Sequence, residues 1–197
     1  MCADAGPRQR WRALELAVLI EALLASWLVM QVVHEFGHVL HAWYSGGHVT
    51  QVVLAPLEFS RTDVFPNPRP QFVAWGGPLW GCVLPVLAWR GIRRFVPQYA
   101  LAFKFFLGFC LIANGTYLAG GALVRAGDAA DLMHHGVAQW ILIAVGVVGA
   151  SAGLYTWHTL GPRMGLASQP DRALRRTVAV LAVVLACTVV AETVYAH

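Results

Sequence analysis

Charge is scarce in this sequence. Of its 197 residues, 12% are Asp, Glu, Lys or Arg, against about 25% in an average soluble domain, and this shortage argues against an ordinary water-soluble fold. Lysine is almost absent, since 13 of the 14 basic residues are Arg, and these gather at the ends of apolar runs without forming a patch. A nucleic-acid footprint is thereby excluded. The four cysteines, Cys2, Cys82, Cys110 and Cys187, are far apart and form no CxxC pair; a disulfide framework is not indicated, and the last three read as small buried fillers. No repeat of 20–50 residues and no low-complexity tract is present.

Apolar residues are plentiful, at 58% of the chain with a mean hydropathy of +0.59. A membrane-spanning helix needs about 20 apolar residues, and five runs qualify: 13–33, 71–89, 100–124, 137–158 and 177–196. The expected fold is an all-α polytopic membrane protein of about five transmembrane helices. The basic, then apolar, start resembles a signal peptide, but it continues unbroken to Val33 and reads as an uncleaved first span. With the N-terminus inside, the inner segments carry eleven Lys and Arg and the outer ones three, Arg61, Arg69 and Arg125, so a cytoplasmic N-terminus is expected. The location expected is a bacterial-type cytoplasmic membrane, multi-pass, with the lipid bilayer as partner.

The first span should stay helical to about Trp43, where Ser45-Gly46-Gly47 signals a break. The following VTQVVLAPLEF, residues 49–59, is rich in β-branched residues and predicts short strands or an irregular hairpin at the membrane. Backbone of that kind is tolerated at membrane depth only beside protein or water. The second span carries Gly76-Gly77-Pro78, which reads equally as a packing notch or as a functional element.

One stretch stands out, VVHEFGHVLH at the end of the first run. On a helix, positions i and i+4 share a face, so His34 and His38 can hold one metal ion while Glu35 lies to the side where a water would sit, the HExxH arrangement of zinc hydrolases. An ionisable residue at membrane depth is a functional signal in its own right. A third ligand is needed. The ends of spans one and three fall on the same side if spans alternate, which makes Asp128 the first choice and Asp131 the second, with capping of the short DAADLMHH helix as the competing role for Asp128. His41 shares the face of His34 and His38 and reads as a further ligand or a polar neighbour.

HEFGH at 34–38, the glycine pair that follows, Gly76-Gly77-Pro78 and the later aspartate together resemble the site-2 protease family of intramembrane zinc metalloproteases, over roughly residues 13–135. In that family the aspartate usually precedes a glycine, whereas Asp128 follows one. The resemblance implies a three-helix catalytic core at 1–135 and two additional helices at 136–197. It implies one Zn2+ per chain held by His34, His38 and Asp128, with Glu35 as general base acting on a metal-activated water. It further implies that a membrane-spanning or signal-like protein substrate binds in extended form. Asn114, Gly76, Gly77, Pro78, Val52 and Val53 are the candidate substrate contacts. Two other classes remain open: a membrane di-iron oxygenase using histidine boxes, for which HEFGHVLH and DLMHH are the candidates, and a non-catalytic chaperone or transporter subunit in which the polar cluster is structural.

Overall fold

The computed structural model describes residues 7–54 and 60–160, with side chains from residue 16 onward. It is mostly helical: α1 (Pro7–Ser45), a hairpin of β1 (Val49–Val53) and β2 (Arg61–Val64), then α2 (Pro70–Phe95), α3 (Ala100–Val124), α4 (Gly127–His134) and α5 (Gln139–His158). A short 3-10 turn, Pro97–Tyr99, joins α2 to α3. Four stretches are long and apolar enough to cross a membrane: Leu16–Ser45, Pro70–Phe95, Pro97–Val124 and Gln139–His158. They correspond to the first four expected runs. The fifth run, and residues 55–59 of the expected β segment, lie outside the described residues.

The first helix runs through the histidines and ends two residues beyond Trp43, where Gly46 takes a positive φ of 75°. Only glycine accepts that conformation without steric penalty. At 39 residues the helix is about 58 Å long, well beyond the roughly 30 Å of a hydrocarbon core. The antiparallel hairpin after it pairs Val49 with Val64, Val52 with Thr62 and Val53 with Arg61, with an irregularity between Val49 and Gln51. Its strands are thus VTQVV and RTDV.

Small residues set the helix packing. Gly37 of α1 and Gly76 of α2 meet backbone to backbone, and a Cβ on either would collide with the other's carbonyl. A second seam joins α3 to α5, where Gly115 faces Gly146 and Ala150, and Gly153 faces the Gly108 carbonyl. In lipid, where apolar surface supplies little drive for association, such close approach is what dispersion contact depends on. Pro78 and Pro85 lie buried inside α2, which stays helical throughout. Large apolar side chains left open, among them Leu16, Ile20, Leu24, Leu87, Val145 and Val148, are matched by a bilayer and not by water.

One buried cluster positions the short helix α4. Ala129 and Leu132 are wholly buried against Ala74 of α2, Leu118 and Ala122 of α3 and Leu142 of α5. The chain reaches α4 through Arg125 at φ 58° and Gly127 at φ 56°, a left-handed reversal that folds α4 back toward α1. At the far end of α2, Arg93 and Lys104 lie over the Trp89 ring, 4.7 and 5.9 Å from its centre. That basic, aromatic end is about 30 Å along the helix from Val73.

Candidate metal centre

The polar groups converge where α1 finishes, α2 begins and α3 turns into α4. His34 and His38 lie one turn apart on α1, ring centres 5.0 Å apart, and Asp128 enters from the first turn of α4. His34 Nε2 is 2.9 Å from Asp128 Oδ2, and His38 Nε2 is 3.3 Å from Oδ1. One donor atom from each of the three lies within 4.8 Å of the others. Among the described residues no second group of His, Cys, Asp and Glu is so arranged.

The far nitrogens of both rings are committed. His34 Nδ1 is 2.7 Å from Asn114 Oδ1, and the Asn114 amide nitrogen donates to the Cys110 carbonyl at 2.9 Å. That second bond orients the amide, so Oδ1 is an acceptor and His34 Nδ1 must donate. His38 Nδ1 donates to the Val73 carbonyl at 2.8 Å; the Gly77 amide reaches the same nitrogen only at 3.4 Å. In their neutral form both rings would therefore present bare Nε2 lone pairs toward a carboxylate. Burial alone would push the Asp128 carboxyl up; hydrogen bonds donated by Nε2–H of the two imidazoles when they are protonated, and their charge, outweigh burial and hold it well below the usual carboxylate range. The neutral form leaves three acceptors facing one another, which require a cation among them. A proton on one ring would satisfy one contact; a metal ion satisfies all three, and two imidazoles with a carboxylate form an established ligand set for catalytic zinc. The outward hydrogen bonds of both rings are those expected behind metal-binding histidines.

Gly77 supplies the space. A Cβ there would overlap the Nε2 atoms of both His34 and His38, so glycine at this position leaves open the place where the two lone pairs meet. Gly81, one turn further, does the same for the Asn114 amide. In the Gly76-Gly77-Pro78 element, Gly76 serves the helix contact and Gly77 borders the candidate ligands. Asp128 does not cap α4: Ala126 stands at the cap position with no side-chain hydrogen bond. Gly127 precedes the aspartate because its backbone is left-handed and a Cβ would strike the Tyr117 hydroxyl. Asp131 is exposed and is not one of the three converging residues. His41 is not part of the group; its ring stacks on Phe72 at 4.1 Å and Nδ1 donates to the Phe72 carbonyl at 2.6 Å. His134 and His135 are exposed, and His135 Nδ1 donates to the Asp131 carbonyl.

Glu35 is 3% exposed and receives a hydrogen bond on Oε2 from the Thr62 hydroxyl of β2 at 2.6 Å. The hairpin is thus tied directly to this carboxylate. Asn114, 2% exposed, stands behind His34 and also borders a cavity of about 470 Å³ that includes His34 and Glu35 in its wall. Val52 and Val53 lie on β1 and, like Gly76, Gly77 and Pro78, are not among the residues lining that cavity. Thr62 and Tyr117 are parts of the centre that the sequence pattern does not single out. Tyr117 packs edge-on against His34 at 5.7 Å and accepts a hydrogen bond from the Asp128 amide at 3.4 Å; its spacing of three from Asn114, on one helix face, is the signal that would have found it. Comparison of the chain with protein families, with curated proteins and with solved structures gives no match.

Proposed function

We propose that the chain is an intramembrane zinc endopeptidase that hydrolyses peptide bonds of membrane-spanning or signal-like proteins, residues 1–135 forming the catalytic core. One observation carries this reading: His34, His38 and Asp128 turn three acceptor atoms toward one point at the end of apolar helices, with a buried carboxylate, Glu35, beside them. A zinc ion bound there would supply Lewis-acid polarisation of a peptide carbonyl and bring the pKa of a water down to about 7. Asn114 and the Val73 carbonyl hold the two rings in the tautomer that leaves Nε2 free to ligate. Asp128 adds a negative charge and so balances part of the ion's.

Glu35 is the proton carrier. The Thr62 hydroxyl occupies Oε2, which leaves Oε1 to accept a proton from the attacking water; as the water oxygen bonds to the carbonyl carbon and the C–N bond breaks, that proton passes to the departing nitrogen. The hairpin offers strand edges to which an extended substrate can add, exposing its peptide bonds. A helical substrate must therefore unwind first. The orientation proposed is N-terminus cytoplasmic, in a cytoplasmic membrane of bacterial type.

The test is metal content with cleavage of a membrane-anchored reporter by purified protein. About one zinc per chain is expected, retained in Glu35→Gln while cleavage is abolished. Cleavage surviving in Glu35→Gln refutes the proposal.

A further inference from the structure

Both α1 and α3 pack on α2 but touch each other little, and the cavity of about 470 Å³ opens in the gap between them. Its size is that of a small-ligand site, about 300–1,000 Å³. The two ends differ in chemistry. At one end stand His34, Glu35 and Asn114; away from them the wall is Trp27 and Met30 from α1, Phe109 from α3 and Trp157 from α5. The apolar wall is built and not left to chance. The Trp157 indole donates to the Phe105 carbonyl at 2.9 Å and stacks on the Phe105 ring at 5.1 Å, and Gly108 leaves the room it fills.

We infer that the apolar end of this cavity is the subsite for a bulky apolar side chain, of the size of Leu, Met or Phe, next to the scissile bond, with the peptide backbone taking up the polar end. The inference rests on the peptidase reading and adds to it a substrate class: segments with a large apolar residue flanking the scissile bond. A peptide suits the cavity better than a lipid chain. Thr62 engages one oxygen of Glu35; hydrocarbon alone would bring no hydrogen-bonding group to the rest of that polar end, at a desolvation cost, whereas a peptide brings backbone N–H and C=O groups to it and an apolar side chain to the other end.

The probes are N-capped glycine, alanine, leucine, phenylalanine and tryptophan hydroxamates, whose head group chelates zinc and whose side chain enters the cavity. Binding is measured by competition on the full-length, zinc-loaded protein in detergent, so no substrate is needed. Affinity should rise about fourfold per buried methylene from glycine to leucine. Ala113, like Phe109, lines the cavity; in Ala113→Phe, which places a ring in its wall, the series should flatten to within about threefold, and in Phe109→Ala, which widens it, preference should move to tryptophan. Either variant alone suffices if the other does not fold. Zinc-dependent binding of every hydroxamate with no side-chain preference in the wild type, or a preference that both variants leave unchanged, overturns the inference and assigns the cavity to another occupant such as a lipid chain. Absence of any zinc-dependent hydroxamate binding overturns the metal centre itself, and this subsite with it.

Discussion

Replacing Gly77 by alanine separates the candidate metal centre from the fold. The new methyl would overlap both Nε2 atoms and lie 2.6 Å from His34 Cδ2, where carbon atoms prefer about 3.5 Å, so relief of roughly an ångström is needed. Two routes exist. Either the imidazoles swing, which breaks the Nδ1 bonds to Asn114 and the Val73 carbonyl, or α2 retreats from α1 and gives up the backbone contact of Gly76 with Gly37. Overpacking of this kind costs about 1–3 kcal/mol, and removing a helical glycine returns about 1 kcal/mol, so net stability should fall by at most about 2 kcal/mol. Zinc affinity has no such compensation. Loss of the ring-orienting bonds alone weakens a metal site about 10–100-fold, and with the approach to Nε2 blocked the fall should reach the upper end, about 2.7 kcal/mol. The assay is zinc competition against a chromogenic chelator, with thermal unfolding followed by circular dichroism. Gly91 on the same helix, with nothing within 4 Å of a built Cβ, is the matched control: Gly91→Ala should bind zinc as the wild type does. Wild-type zinc affinity in Gly77→Ala would refute the placement of the ion between the two rings.

Asn114→Leu removes the acceptor that holds His34 Nδ1; zinc affinity should drop about 10–100-fold by the same competition assay, with Asn114→Asp restoring much of it. Thr62→Val deletes the hydroxyl that donates to Glu35, so cleavage turnover should fall several-fold at unchanged zinc content, and Thr62→Ser should rescue it; equal loss in both variants would mean a packing role. Gly115→Leu drives a side chain into the backbone of Gly146 and Ala150, and thermal unfolding in detergent should show a loss of about 1–3 kcal/mol with the centre lost only on unfolding.

The order of helices, their apolar lengths and the break after Ser45 were legible because each is local. Lipid demands about 20 apolar residues per span, and glycine marks a backbone turn that other residues resist. HEFGH placed His34 and His38 on one helix face for the same reason, since the 3.6-residue period alone dictates it. The hairpin was foreseen as a segment, but its partner strand RTDV carries no apolar alternation and declares itself only by pairing with β1. Asp128 could be named over Asp131 only as a preference, because both carboxylates follow the same flexible stretch.

The choice between them was made in three dimensions. Burial of Ala129 and Leu132 fixes the rotation of α4, and that rotation turns Asp128 toward α1 and Asp131 outward. Likewise the glycines of α2 look alike in sequence, yet Gly76 meets a helix backbone, Gly77 meets two imidazoles and Gly91 meets nothing. What the sequence by itself determined was the set of spans and the two histidines with their glutamate, all set by spacing along one helix. The third carboxylate, the Thr62 contact to Glu35 and the apolar cavity depend on helices distant in the chain, and only their packing, through close glycine contacts and one buried cluster, decided them.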